Sequence, residues 1–278
     1  MDSKRGRKAP IDQSTLAGLL APLSELVAAA SAAVLAIDRH AAKLDDKADG
    51  SPLTEADLAA DRVIASGLLN LAPDVPVLSE ERIVAPRADA ACFFIVDPID
   101  GTKEFITGHD DYTINVALIG DGRPLLGVVA APALGLLWRG LVGARAERLA
   151  ISAGHLVAAS ATAIHTRRFP GAPWVAAVSR SHTDGRTESF ITSRPGATRV
   201  AIGSALKFCR VAEGTADIYP RLSPMSEWDI AAGHAVLEAA GGKITDSRGR
   251  PLHFGGDPAD LIIPEFIAWG DPAIATAI

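Results

Sequence analysis

Apolar residues recur at helical spacing through "LAGLLAPLSELVAAASAAVLAI", which predicts an amphipathic helix within residues 12–43, until "DDKADGSPL" breaks the pattern with Asp, Gly and Pro. A second helix is expected over "TEADLAADRVIASGLLNL", stopping at "APDVP". The period then shortens. "VPVLSEE" predicts a short strand entering a charged turn, and "ACFFIVDPIDGT" a buried strand entering another. "YTINVALIGDGRPLLGVVAAPALGLLWRGL" alternates around the hairpin signals "GDGRP" and "APALG". Further on, "PWVAAVSRSH" reads as strand and turn, "DGRTESFITSR" as helix, and "TRVAIGSALKFCRVAEGTADIYP" as strand, glycine turn, helix and strand. The chain closes with a helix over "SEWDIAAGHAVLEAAGG", ended by paired glycines, and a strand pair at "GKITDSRGRPL".

The sum is a mixed α/β (α+β) chain in stacked layers, without repeats or a long linker. Its 278 residues, 48% hydrophobic, suffice for a sizeable core. We expect a disordered tail over residues 1–11 and one unit over 12–278, with an N-terminal half (12–150) and a C-terminal half (151–278). The single glycine of "GSAL" supplies no dinucleotide fingerprint.

A net charge of −6 argues against a large basic surface, and so against duplex nucleic acid or anionic lipid as principal partner. Cys92 and Cys209 lie in apolar stretches and read as two buried free thiols of a reducing compartment. No stretch holds the roughly 18 unbroken apolar residues of a transmembrane span, and Pro22, Ser24 and Glu25 interrupt what a signal peptide would need. The cytoplasm is the expected location, with peripheral association at the inner membrane as the other reading. Nothing in the pattern reports oligomeric state.

Four acidic clusters stand where apolar segments end: Asp57 with Asp61, Glu80 with Glu81, Asp97 with Asp100, and Asp229. Each has an ordinary explanation. Thr54-x-x-Asp57 and Ser226-x-x-Asp229 fit capping boxes, "LSEER" a solvated turn, and Asp97 before Pro98 a turn initiator. The set argues otherwise. Asp97 and Asp100 are spaced to bring both carboxylates and the carbonyl of Ile99 to one point, and like charges so close call for a cation between them. With no His or Cys in the clusters, an all-oxygen site selects a hard ion, Mg²⁺ or Mn²⁺. Nearby Lys103, Lys207, Arg180 and Arg221 could meet anions, which points to phosphoryl transfer to water.

"PVLSEE", "DPIDGTKEF" and "WDIAAGHAVLEAAGG" resemble the three signature segments of the inositol monophosphatase superfamily of metal-dependent, lithium-sensitive phosphatases. "KADGSPLTEADLAAD", "SRSH", "IGSALKFCRVAEG" and "YPR" are similar to its 3′(2′),5′-bisphosphate nucleotidase branch, in particular the bacterial CysQ members. The resemblance runs from about Leu20 to Phe254 and implies a layered αβαβα sandwich of the sugar-phosphatase type. It places metal ligands at Glu80, Asp97, the Ile99 carbonyl, Asp100 and Asp229, with two or three Mg²⁺ ions. Asp57 would hold a further metal or its water and accept a proton, and Thr102 would orient the attacking water. Asp57, Thr102 and Glu80 are thus the catalytic expectation.

The expected substrate contacts are Gly101, Thr102, Lys103, Arg180, His182, Gly203, Ser204, Lys207, Arg221 and Asp229. Inositol phosphatases of the family tend to carry Thr-Asn after the Gly-Thr pair, where this chain has Lys103-Glu104, and an acid near Arg221; the exchange suits a second phosphate. Ser204 and Lys207 are candidates to hold it at a helix start, and Arg180 and His182 to border a base. Ala205 departs from the branch, where a second Ser is common. The resemblance implies removal of the 3′-phosphate of adenosine 3′,5′-bisphosphate, with 3′-phosphoadenylyl sulfate as a related substrate. The alternatives are an inositol-1-phosphate or sugar phosphatase and, from another class, a catalytically silent ligand-binding protein.

Overall fold

The fold was taken from a computed structural model, which describes residues 12–39, 44–46, 52–82, 92–180, 184–256 and 261–275. The expected tail, residues 1–11, lies outside them. Helix α1 (Gln13–Leu35) begins at Asp12, whose carboxylate accepts the Ser14 and Thr15 amides at 2.9 Å each. It ends at Leu35, well short of residue 43. By length and composition it could cross a membrane, with a mean hydropathy of 1.7. Its side chains decide otherwise: Leu16, Leu20, Leu23, Val27, Ala30 and Val34 are buried at helical spacing against the core, while Ala17, Ala21, Glu25 and Ala29 face outward.

A ribbon of β1 (Leu44–Asp46) and β2 (Pro52–Thr54) leads into α2 (Glu55–Leu71), which opens with a complete capping box between Thr54 and Asp57. The first sheet follows: β3 (Val77–Ser79), β4 (Cys92–Asp100), the short helix α3 (Thr102–Ile106), then β5 (Thr113–Gly120), β6 (Arg123–Ala131), β7 (Leu136–Leu141), β8 (Arg145–Ser152) and β9 (His155–Ala163). These seven strands lie in chain order, antiparallel except for the parallel pair β3 and β4.

The second half supplies β10 (Val175–Ser179), α4 (Gly185–Thr192), β11 (Thr198–Ile202), α5 (Leu206–Ala212), β12 (Ile218–Arg221), β13 (Met225–Ser226), α6 (Glu227–Ala239), β14 (Lys243–Thr245), β15 (Ile262–Ile263) and β16 (Phe266–Trp269). Five of its strands form a mixed sheet in the order β11-β10-β12-β16-β14, and β13 pairs with β15.

Five layers result: α1 and α2, the seven-stranded sheet, α5 and α6, the five-stranded sheet, and α4. Strand alternation accounts for this. Along β4, Phe94 and Val96 join the core under α1 and α2, whereas Phe93 and Ile95 join the core around α5 and α6. The central layer is close-packed. A methyl group on Gly127 of β6 would lie 2.5 Å from the Ala232 carbonyl of α6, and one on Gly140 of β7 would lie 2.7 Å from Val236 Cα. The two glycines thus let α6, which carries Asp229, sit directly on the sheet.

Several expectations need correction. No strand pair forms at "GKITDSRGRPL": only Lys243–Thr245 is a strand, and it pairs with β16, because Asp246 instead closes a turn by accepting the Arg248 and Arg250 amides. The β8–β9 hairpin escapes the apolar pattern because β9 is exposed along most of its length. Cys209 is buried, but Cys92 is only half-buried, and they are not joined in a disulfide.

Candidate active site

In a regular strand Asp97 and Asp100, three residues apart, would face opposite sides of the sheet. β4 avoids this with an irregularity. Asp97 pairs with Asn115 and Asp100 with Thr113, so β4 carries one residue more than β5 across this stretch. The extra residue turns both carboxylates to the same side, and it is where Pro98 can sit without costing a ladder hydrogen bond. Gly101 follows with φ +93°, where a side chain would press to 3.3 Å from the Tyr112 backbone, and α3 starts at Thr102.

Asp229 arrives from the first turn of α6. Ser226 makes no side-chain cap there, so no capping box engages Asp229. One oxygen each from Asp97, Asp100 and Asp229 lies within 4.8 Å of the others. Asp97 is fully buried, and no donor among the described residues reaches either of its oxygens. Burial first, then the charges of Glu80, Asp100 and Asp229, push its carboxyl well above the usual range. Asp229 is raised likewise by burial and by Asp100 and Glu80. Asp100 is pushed up to about 6 by burial, against the restraining charge of Lys207. Three mutually repelling carboxylates, one of them fully buried without a donor, are what a hard cation would neutralise, so this donor set fits one.

Glu80 stands at the end of β3, its amide bonded to the Val96 carbonyl, and lines the same cleft. Its charge acts on all three aspartates, though it lies outside the 4.8 Å cluster. Asp61 has a different place: it accepts the Ser79 hydroxyl at 2.8 Å and pairs with Arg82 at 2.7 Å, bracing the strand end beside Glu80.

Asp57 both caps its helix and reaches Thr102. Its Oδ2 accepts the Thr54 amide at 2.9 Å and the Thr54 hydroxyl at 2.5 Å, while its Oδ1 lies 3.2 Å from Thr102 Oγ1. The Thr102 hydroxyl is also 3.3 Å from the Ile99 carbonyl. One edge of the Asp57 carboxylate is therefore pinned at the start of its own helix, and the other faces the Thr102 hydroxyl.

A cleft of about 370 Å³ is lined by Glu80, Asp100, Gly101, Thr102, Lys103, Ser204, Lys207, Arg221 and Asp229, among others. Lys103 is exposed on the rim. Lys207 is buried, bonds the carbonyls of Ser204 at 2.6 Å and Ile202 at 3.4 Å, and lies 5.2 Å from the Tyr219 ring centroid. Burial pulls its pKa down to about 8. Arg221 is half-buried, and its Nε has no acceptor among the described residues.

Not all the expected substrate residues face the cleft. Arg180 pairs with Asp111 at 2.9 Å and borders a neighbouring hollow with Leu206 and Arg210. Gly203 donates its amide to Asp111, and Ser204 spends its hydroxyl on the Asp111 carbonyl. His182 lies outside the described residues. Sequence reasoning overlooked Asp111, which "GHDDYT" presents as one more turn acid, and Asn115, whose amide lies 3.5 Å from Asp100 Oδ2.

The profile of the inositol monophosphatase family matches residues 19–273. Among curated proteins, the 3′(2′),5′-bisphosphate nucleotidase CysQ of Escherichia coli K12 is 43% identical over 211 residues, covering 75% of this chain and 81% of that protein. The CysQ nucleotidase of Shigella flexneri is 42% identical over 210 residues, with the same coverage. The crystal structure of CysQ from Bacteroides thetaiotaomicron superposes with a TM-score of 0.77 at 31% identity, covering 92% of this chain and 97% of that one. With a profile match over most of its length, these relatives and the shared layered fold, the chain belongs to the inositol monophosphatase family.

Proposed function

We propose that this protein is a Mg²⁺-dependent 3′-phosphatase of adenosine 3′,5′-bisphosphate, with 3′-phosphoadenylyl sulfate as a second substrate. The observation that carries the phosphatase reading is the Asp97–Asp100–Asp229 cluster, two of whose members, Asp100 and Asp229, line a cleft with Lys207 and Arg221. The nucleotide assignment rests on the named activity of the CysQ relatives. Glu80, Asp97, the Ile99 carbonyl, Asp100 and Asp229 would hold the ions, with Asp57 reaching a further ion or its water. Bound there, Mg²⁺ would lower the pKa of water and draw charge from the phosphoryl and leaving oxygens. Mn²⁺ suits the same oxygen donors.

The residues supply the rest. With its single proton directed at Asp57 Oδ1, the Thr102 hydroxyl accepts a hydrogen bond from the attacking water and so aims it. Asp57, pinned by Thr54, takes the proton. Lys207 and Arg221 offer positive charge to a second phosphate, and Lys103 guards the rim. Two cysteines not joined in a disulfide suit a reducing compartment such as the cytoplasm.

Phosphate release from adenosine 3′,5′-bisphosphate, 3′-phosphoadenylyl sulfate and inositol 1-phosphate, with and without Mg²⁺, tests the reading. Turnover should be Mg²⁺-dependent and strongest with the nucleotides. Equal or faster turnover of the inositol ester would sink the nucleotide assignment, and no turnover of any of them would favour a silent binding protein.

A further inference from the structure

The turn between β11 and α5 is gripped by one carboxylate from the other half of the molecule. Asp111, on the loop from α3 to β5, accepts the Gly203 amide at 2.6 Å and Arg180 Nε and Nη2 at 3.1 and 2.9 Å, all on Oδ2. Its backbone carbonyl accepts the Ser204 hydroxyl at 2.8 Å. The approach is too close for any side chain at Gly203, where a Cβ would lie 2.5 Å from the Asp111 carbonyl oxygen and 2.9 Å from its Cγ. Ser204 is held at φ +46°, a left-handed conformation that a non-glycine residue keeps only under restraint. The carbonyls of this strained turn and of Ile202 just before it are the two that hold the Lys207 ammonium. The chain of contacts therefore runs from the loop beyond the acidic cluster, through Asp111, to the one buried lysine of the cleft.

We propose that Asp111 is a positioning residue for substrate selection: by clamping the Gly203–Ser204 turn it aims Lys207 at the second phosphate of a bisphosphate substrate. The proposal rests on the nucleotide reading given above. Asp111 does not line the cleft, so it acts through Lys207 rather than on the phosphate being cleaved. Arg180 belongs to the clamp, since its guanidinium is spent on Asp111.

The test compares wild type with Asp111→Ala and the milder Asp111→Asn, which retains an acceptor for the Gly203 amide but loses the charge facing Arg180. For adenosine 3′,5′-bisphosphate, KM should rise about tenfold or more in Asp111→Ala, the scale of one hydrogen bond to a charged group, and less in Asp111→Asn. kcat should stay within about twofold, because the acidic cluster and Thr102 are untouched. Adenosine 3′-monophosphate, which has no second phosphate, should show an unchanged KM. Amide hydrogen exchange at Gly203 should quicken in Asp111→Ala. Equal losses with both substrates, or a fall in kcat alone, would overturn the proposal, as would unchanged exchange together with unchanged KM. A wild-type enzyme that does not prefer the bisphosphate defeats the nucleotide reading instead, and exchange at Gly203 then still judges the clamp.

Discussion

Asp97 is an acid at the end of an apolar run in its strand, with both oxygens cut off from water and from any donor among the described residues. Asp97→Asn should abolish metal-dependent turnover, by roughly three orders of magnitude or more, the scale seen when charge stabilisation is removed from a transition state. The metal-free variant should melt no lower than metal-free wild type, since it loses repulsion from Asp100 and Asp229. Retained turnover would refute the metal-site reading. Thr102→Ala leaves the acids in place and should lower kcat by about 10²-fold, the range for one positioned proton-transfer group, with KM little changed. Lys207 gives a pH dependence. Its pKa lies near 8, so its charge is present below that pH and lost above it. KM for the bisphosphate should therefore climb as pH rises through about 8, and Lys207→Gln should show a high KM without that climb; a wild-type KM flat from pH 7 to 9 would contradict it. At this scale the sequence singled out Asp97, Asp100 and Asp229, which the fold brings within 4.8 Å of one another, because charge bordering apolar runs stands out. It missed Asp111, which only contact with a turn 92 residues later distinguishes from an ordinary loop acid.

At the scale of elements, the site depends on how two of them end. β4 needs its extra residue to bring Asp97 and Asp100 to one side, and α6 needs Gly127 and Gly140 beneath it to bring Asp229 within reach. Gly140→Ala should cost about 1–3 kcal/mol in denaturant unfolding, the usual penalty for overpacking, and should weaken Mg²⁺ activation by shifting α6. A destabilised variant with unaltered Mg²⁺ dependence would show that α6 tolerates the displacement. The elements were legible where periodicity was strong, as along α1, α2 and β4. They were illegible where exposure erased the pattern, as along β9, or where an Asp-centred turn replaced an apparent hairpin, as at Asp246.

For the molecule as a whole, both halves contribute acids to one cleft, Glu80 and Asp100 from the first and Asp229 from the second. We propose that residues 12–278 fold as one cooperative unit. A single calorimetric transition should be observed, and it should rise in temperature with added Mg²⁺, because an ion that binds only the native state stabilises it by mass action. Two separable transitions would divide the chain near residue 150 instead. The sequence by itself determined the mixed α/β class and pointed to the acids that the fold gathers and to an oxygen-bound cation as an expectation, because these follow from local periodicity and from the chemistry of side-chain oxygens. Only the tertiary structure decided that Asp57 serves its helix and Thr102 at once, that Ser226 leaves Asp229 free, and that Arg180 turns to Asp111 rather than to the cleft. Those outcomes hang on distances between residues far apart in the chain, which no local pattern encodes.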